Sequence, residues 1–153
     1  MTKEHFARIY EHVFWANNRV LDLLQDLSSD NERARKLFSH ILAAEQVWMT
    51  RLLGRDSSDI PIWPDLSLDE CSALMEMNRL SYRQFLDSLT EEAFDQEVSY
   101  KNSKGMGFST AVRDILTQVS LHGTNHRGQI AAAVRDAGDE PANTDFISFV
   151  REV

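Results

Sequence analysis

The segment His122-Gly123-Thr124-Asn125-His126 sets two imidazoles four residues apart, so on a helix they stack on one face, one turn above the other. Such a pair can grip a single metal ion. A third histidine, His40, falls between Leu37 and Ala44 on the apolar stripe of an earlier helical segment, near enough to mid-helix to meet the pair across a bundle. Burying imidazoles without partners costs on the order of 1–3 kcal/mol each, and a shared ion removes that cost. Three imidazoles with no fourth ligand evident describe an open, catalytic type of site. Neutral nitrogen donors, with neither thiolate nor a carboxylate cluster, suit Zn²⁺, Ni²⁺ or Fe²⁺ and disfavour Mg²⁺ and Ca²⁺; zinc is the first choice. Gly123 stands where the zinc-protease motif needs a glutamate base, so that chemistry is excluded. Coordination requires unprotonated imidazoles, and the metal is therefore expected to leave below about pH 6.

Local propensity conflicts with the helix that carries the pair. Gly123, Thr124, Asn125 and Gly128 are poor helix formers, each glycine costing about 1 kcal/mol relative to alanine. A conflict of this kind marks a site or a close helix contact. Asn17, Asn78 and Tyr82 fall on inward stripes of other segments, where they either orient a water, a substrate or an imidazole, or satisfy one another in the core. Glu45, one turn beyond His40, is off-centre on the wheel and reads as a solvated carboxylate. His5 and His12 read as surface residues, and Cys71 as a small buried thiol. No catalytic base or nucleophile declares itself. Gly-rich phosphate loops and the Gly-x-Ser-x-Gly elbow are absent.

The elements that must position these residues are helices. Apolar residues recur every three or four positions over about 3–27, from about Glu32 to Leu53, over about 68–89, and from a cap at Ser109 or Thr110 to Gly138. Gly54 sits where a helix C-cap tolerates positive φ, and Ser67 with Glu70 forms a capping box. The stretch after Gly54 holds two prolines and no period, so it is a long connection that Trp63 pins down. Residues 94–108 alternate and then turn at Lys101-Asn102-Ser103-Lys104-Gly105, a short β-ribbon. Thr144-Asp145 caps a short last helix over the bundle end. The fold class is all-α: a four-helix bundle with a β-ribbon before its fourth helix and a short C-terminal helix, in one domain over residues 1–153.

The net charge of −8, from 24 acidic and 16 basic side chains, repels phosphate backbones and anionic lipid, so neither nucleic acid nor membrane is an expected partner. No export signal is seen at the start, and a single cysteine suits a reducing cytoplasm.

Trp15-Ala16-Asn17, His40 through Glu45 with Trp48 and Arg51-Leu52, His122-x-x-x-His126-Arg127-Gly128-Gln129-Ile130, and the tail Pro141 to Phe146 resemble the DinB/YfiT-like family in order and spacing. The resemblance covers nearly the whole chain. It implies an up-down-down-up bundle, a metal held by His40, His122 and His126, and homodimers. It further implies metal-dependent chemistry on a small-molecule substrate, either hydrolysis or S-transfer from a low-molecular-weight thiol. The alternative is a non-catalytic metal-binding or stress-response bundle, which would close the coordination shell with a fourth protein ligand.

Overall fold

A computed structural model describes residues 1–152. The apolar periodicities build α1 (Thr2–Asp26), α2 (Glu32–Leu52), α3 (Leu68–Ser88) and α4 (Val112–Asp136), with α5 (Phe146–Glu152) at the end of the chain. Between α3 and α4 come a 3₁₀ turn (Glu92–Asp95) and a two-stranded antiparallel ribbon, β1 (Glu97–Lys101) and β2 (Gly107–Ala111). Asn31 caps α2 through Ala34 N, and its amide also donates to Ala133 O at 3.0 Å, tying the start of α2 to the end of α4. The Ser67–Glu70 capping box is formed, and Gly54 adopts φ 72° just past α2.

Side-chain hydrogen bonds fix the helix directions. Ser39 meets Cys71, Asn78 meets Leu42 and Tyr82 meets Glu45, so α2 and α3 run parallel. Glu11 pairs with Arg83 while Lys3 reaches Asp87 O, so α3 opposes α1. Tyr10 donates to Leu116 O and Arg127 to Asn17, so α4 runs with α1. The result is the up-down-down-up arrangement. Its parallel α2–α3 pair requires the long connection after Gly54, which Arg35 and Ser39 clamp to α2 through Leu66 O and Leu66 N.

The core has two apolar halves. One gathers Phe6, Tyr10, Leu52, Tyr82, Phe94 and Leu116; the other gathers Leu24, Phe38, Ile41, Leu42, Cys71 and Val134. Between them each long helix contributes one buried polar residue: Asn17, Glu45, Asn78 and Arg127.

Three expectations need correction. Ser109 and Thr110 do not cap α4; they lie in β2, where Ser109 donates to Glu97 and Thr110 pairs with Tyr100, and α4 starts directly from the ribbon with Val112 N donating to Gln96 O at 2.9 Å. Phe108 and Thr110 are good strand residues, and their cross-strand partners extend the ribbon to Ala111. His12 is buried rather than on the surface, because α5 folds over it: its Nε2 donates to Thr144 O at 2.8 Å and its ring meets Phe146 and Phe149. Glu45 is also buried, at 4 % exposure, since α2 is covered by α1, α3, α4 and the connection and has little outer face left in its middle.

Candidate metal centre

His40 projects from the buried middle of α2, while His122 and His126 stand half-buried on α4, one position off the fully buried line of Val119, Gly123, Arg127, Ile130 and Val134. One nitrogen from each imidazole lies within 4.8 Å of the other two. The Nε2 atoms of His40 and His122 approach to 3.1 Å. A tetrahedral ion with bonds of about 2.0–2.1 Å needs nitrogens roughly 3.3 Å apart, close to the His40–His122 separation. The three histidines expected from the sequence thus form a cluster that can hold a metal ion. Among the described residues no fourth His, Cys, Asp or Glu joins it.

The surroundings fix which nitrogen faces the centre. His40 Nδ1 lies 2.7 Å from Ile62 O, and a carbonyl only accepts, so Nδ1 carries the hydrogen and Nε2 keeps its lone pair. His126 Nδ1 lies 2.7 Å from Gln129 Oε1, with the same consequence. Nε2 of His40 and Nε2 of His126 therefore keep a lone pair for an ion. Burial pushes the His122 pKa down to about 4, helped by His126 and His40, and burial also lowers that of His40. Both shifts favour the neutral imidazole that ligation requires.

Trp63 was expected to pin the connection; it stacks on His40, ring centroids 3.6 Å apart and 3° from parallel, while remaining 60 % exposed. By that stack it ties the connection to α2 and forms a wall of the site. Beyond it opens a cleft of about 640 Å³ lined by Leu37, Trp63 and Gln129 together with Glu32, Arg33 and Lys36.

Among the described residues Asn17, Asn78 and Tyr82 make no hydrogen bond to the imidazoles. They surround Glu45: Asn17 donates to Oε2 at 2.9 Å, Asn78 to Oε1 at 3.2 Å and Tyr82 to the backbone oxygen at 2.6 Å. Arg127 closes the network by donating to Asn17 Oδ1 at 2.9 Å and to Thr124 Oγ1 at 3.2 Å. Burial raises the Glu45 pKa to about 7 against the opposing pull of Asn17, Arg127 and Asn78. It lowers that of Arg127 to about 10, with Glu45 resisting. Sequence reasoning missed Arg127, although Gly123 pointed to it. A Cβ at Gly123 would lie 3.0 Å from Arg127 Nη1, so the glycine makes room for the guanidinium to lie along the helix. His5 is exposed as expected, and Cys71 is fully buried with Ser39 Oγ 3.6 Å away.

An up-down-down-up bundle whose second and fourth helices bring three histidines to one edge defines a class of helical proteins with a candidate three-histidine metal centre. The chain belongs to the DinB family, which matches residues 1–152. It is 27 % identical to Protein DinB of Bacillus subtilis (strain 168), across 91 % of this chain and 90 % of that one. It also resembles the crystal structure of a DinB-like protein from Bacillus cereus ATCC 10987, with a TM-score of 0.60, 14 % identity, and 88 % of this chain and 94 % of the other covered. At that identity the likeness concerns the fold alone.

Proposed function

We propose that this chain is a metal-dependent enzyme whose ion, held by His40, His122 and His126, supplies Lewis acidity that lowers the pKa of a bound water or low-molecular-weight thiol. Zinc is the first choice and nickel the next, with iron third, on the softness of three neutral nitrogens. The observation that carries the reading is the convergence of three imidazoles, one nitrogen of each within 4.8 Å of the other two, at an edge where no fourth His, Cys, Asp or Glu joins them among the described residues. Ile62 O and Gln129 hold His40 and His126 in the ligating orientation. Trp63 shields one side, and the cleft beyond it leaves room for a small-molecule substrate.

The reaction is either hydrolysis or S-transfer, and both begin with the same activation. Metal-loaded protein incubated with an electrophile, with and without thiol, separates them: product formed only with thiol assigns a transferase, and product in water alone a hydrolase. No turnover in either arm, with metal bound, contradicts the enzyme reading and favours metal storage or sensing. We also place the protein in the cytoplasm as a homodimer. Light scattering at micromolar concentration should give twice the mass of the 17.5 kDa chain.

A further inference from the structure

A second concave region runs along the connection from Ile62 to the far end of α2. The C-terminal turns of α2, the connection after Gly54 and the β1–β2 hairpin enclose an open cleft of about 1110 Å³. Three cations line it, each from a different segment: Arg51 from α2, Arg55 from the connection and Lys101 from β1. Among the described residues none of the three has a carboxylate within 4.0 Å. Asp56 is the one acid in the lining, and its carboxylate is already engaged by Ser58 N at 3.0 Å and Ser58 Oγ at 2.8 Å. The cleft is therefore locally positive on a chain of net charge −8.

Arg51 is the centre of this arrangement. It is only 8 % exposed, and its guanidinium carbon lies 4.6 Å from the Trp48 ring centre and 5.2 Å from that of Tyr100. Nε donates to Ser57 Oγ at 3.2 Å, which fixes the plane of the fork. Neither terminal nitrogen has a hydrogen-bond partner among the described residues, and neither is sealed from solvent. A buried guanidinium is ordinarily matched by a carboxylate. Here it is pre-organised by two aromatic faces and a serine, and its two terminal N–H pairs are left open to the cleft. A planar fork of this kind fits an oxyanion bidentately. Val47, Ile60 and Phe108 give the same cleft apolar wall for an organic body.

We propose that this cleft binds the oxyanion of a small organic molecule, a phosphate monoester or a carboxylate, with Arg51 as the fork and Arg55 and Lys101 as flanking charges. The cleft reaches Ile62, whose carbonyl accepts from His40, but its anion fork is set apart from the histidines: Arg51 lies eleven residues beyond His40, three turns and roughly 16 Å along α2. It does not depend on the metal-centre reading.

Calorimetric titration of the whole protein with phenyl phosphate and with benzoate, at ionic strength matched by chloride, tests the proposal and separates the two anion sources. Saturable one-to-one binding of either is expected. Arg51→Lys, which keeps the charge but loses the fork, and the exposed double variant Arg55→Ala/Lys101→Ala should each weaken it at least tenfold. His122→Ala should leave it within twofold. Absence of saturable binding by both probes overturns the site. So does binding that survives in the Arg55→Ala/Lys101→Ala variant, or binding lost in His122→Ala, which would assign the anion to the histidines.

Discussion

Helices α2 and α4 carry two polar centres side by side, His40 five residues before Glu45 and His126 next to Arg127, and the two are built on opposite principles. In the Glu45 layer the side chains bond one another, and among the described residues no sealed side-chain nitrogen or oxygen lacks a partner. At the histidines His40 and His126 donate outward, to Ile62 and Gln129, which leaves Nε2 of each with its lone pair. A satisfied cluster holds helices in register; a cluster that keeps its acceptors free can take a cation. Burial sharpens the contrast, since the four layer residues are nearly inaccessible while His122 and His126 are half-exposed at the bundle edge.

If the layer is structural, removing one member should cost stability and leave the site's chemistry in place. Arg127→Ala strips Asn17 of a charged donor and leaves a cavity where a buried side chain lay, so a loss of about 3–5 kcal/mol is expected in urea unfolding. A loss below 1 kcal/mol would mean that the layer is not a coupled unit.

The raised Glu45 pKa gives the layer a pH signature. Between the unfolded value near 4.5 and the folded value of about 7, the native state binds more protons than the unfolded chain. Stability contributed by this group therefore falls as pH rises through that window, by on the order of 3 kcal/mol. Glu45→Gln should remove the fall, so the stability difference between the variant and the wild type should grow in the variant's favour from pH 5 to pH 8. Chemical denaturation at the two pH values reads this directly, and a constant difference would contradict a proton-holding Glu45.

On the other side of the comparison, Gln129→Ala should leave stability nearly unchanged and weaken metal affinity by about 10–100-fold, because His126 loses the acceptor that orients it. The burial that depresses the His122 pKa also lowers the threshold for metal loss below the pH 6 expected from an ordinary imidazole, so occupancy should decline between pH 6 and pH 4. The smallest effect joins the two centres. Gly123→Ala gains helix propensity worth about 1 kcal/mol but crowds Arg127, so it should destabilise the wild type and stabilise an Arg127→Met background; the same sign in both would remove the proposed reason for the glycine.

The three histidines were legible because each lies on or beside an apolar stripe whose 3.6-residue period needs only local sequence. Glu45 was not, because one stripe per helix is the wrong picture for α2: residues from Leu37 through Glu45 are all buried under several neighbours. His12 was misjudged for a related reason, since its cover, Thr144 and α5, lies more than 130 residues away in the chain. Arg127 left a readable trace, a glycine four residues before an inward arginine, which takes on meaning once the two are set on one face. The start of α4 was placed too early because Ser109 and Thr110 suit a cap as well as a strand, and only their pairing with β1 decides between them.

X-ray absorption at the metal edge of untagged protein tests the central claim most directly. The account predicts one divalent transition metal per chain, surrounded by three imidazole nitrogens and at least one light-atom ligand that small molecules exchange. No metal at the edge, or a closed shell completed by a fourth protein side chain, would contradict it.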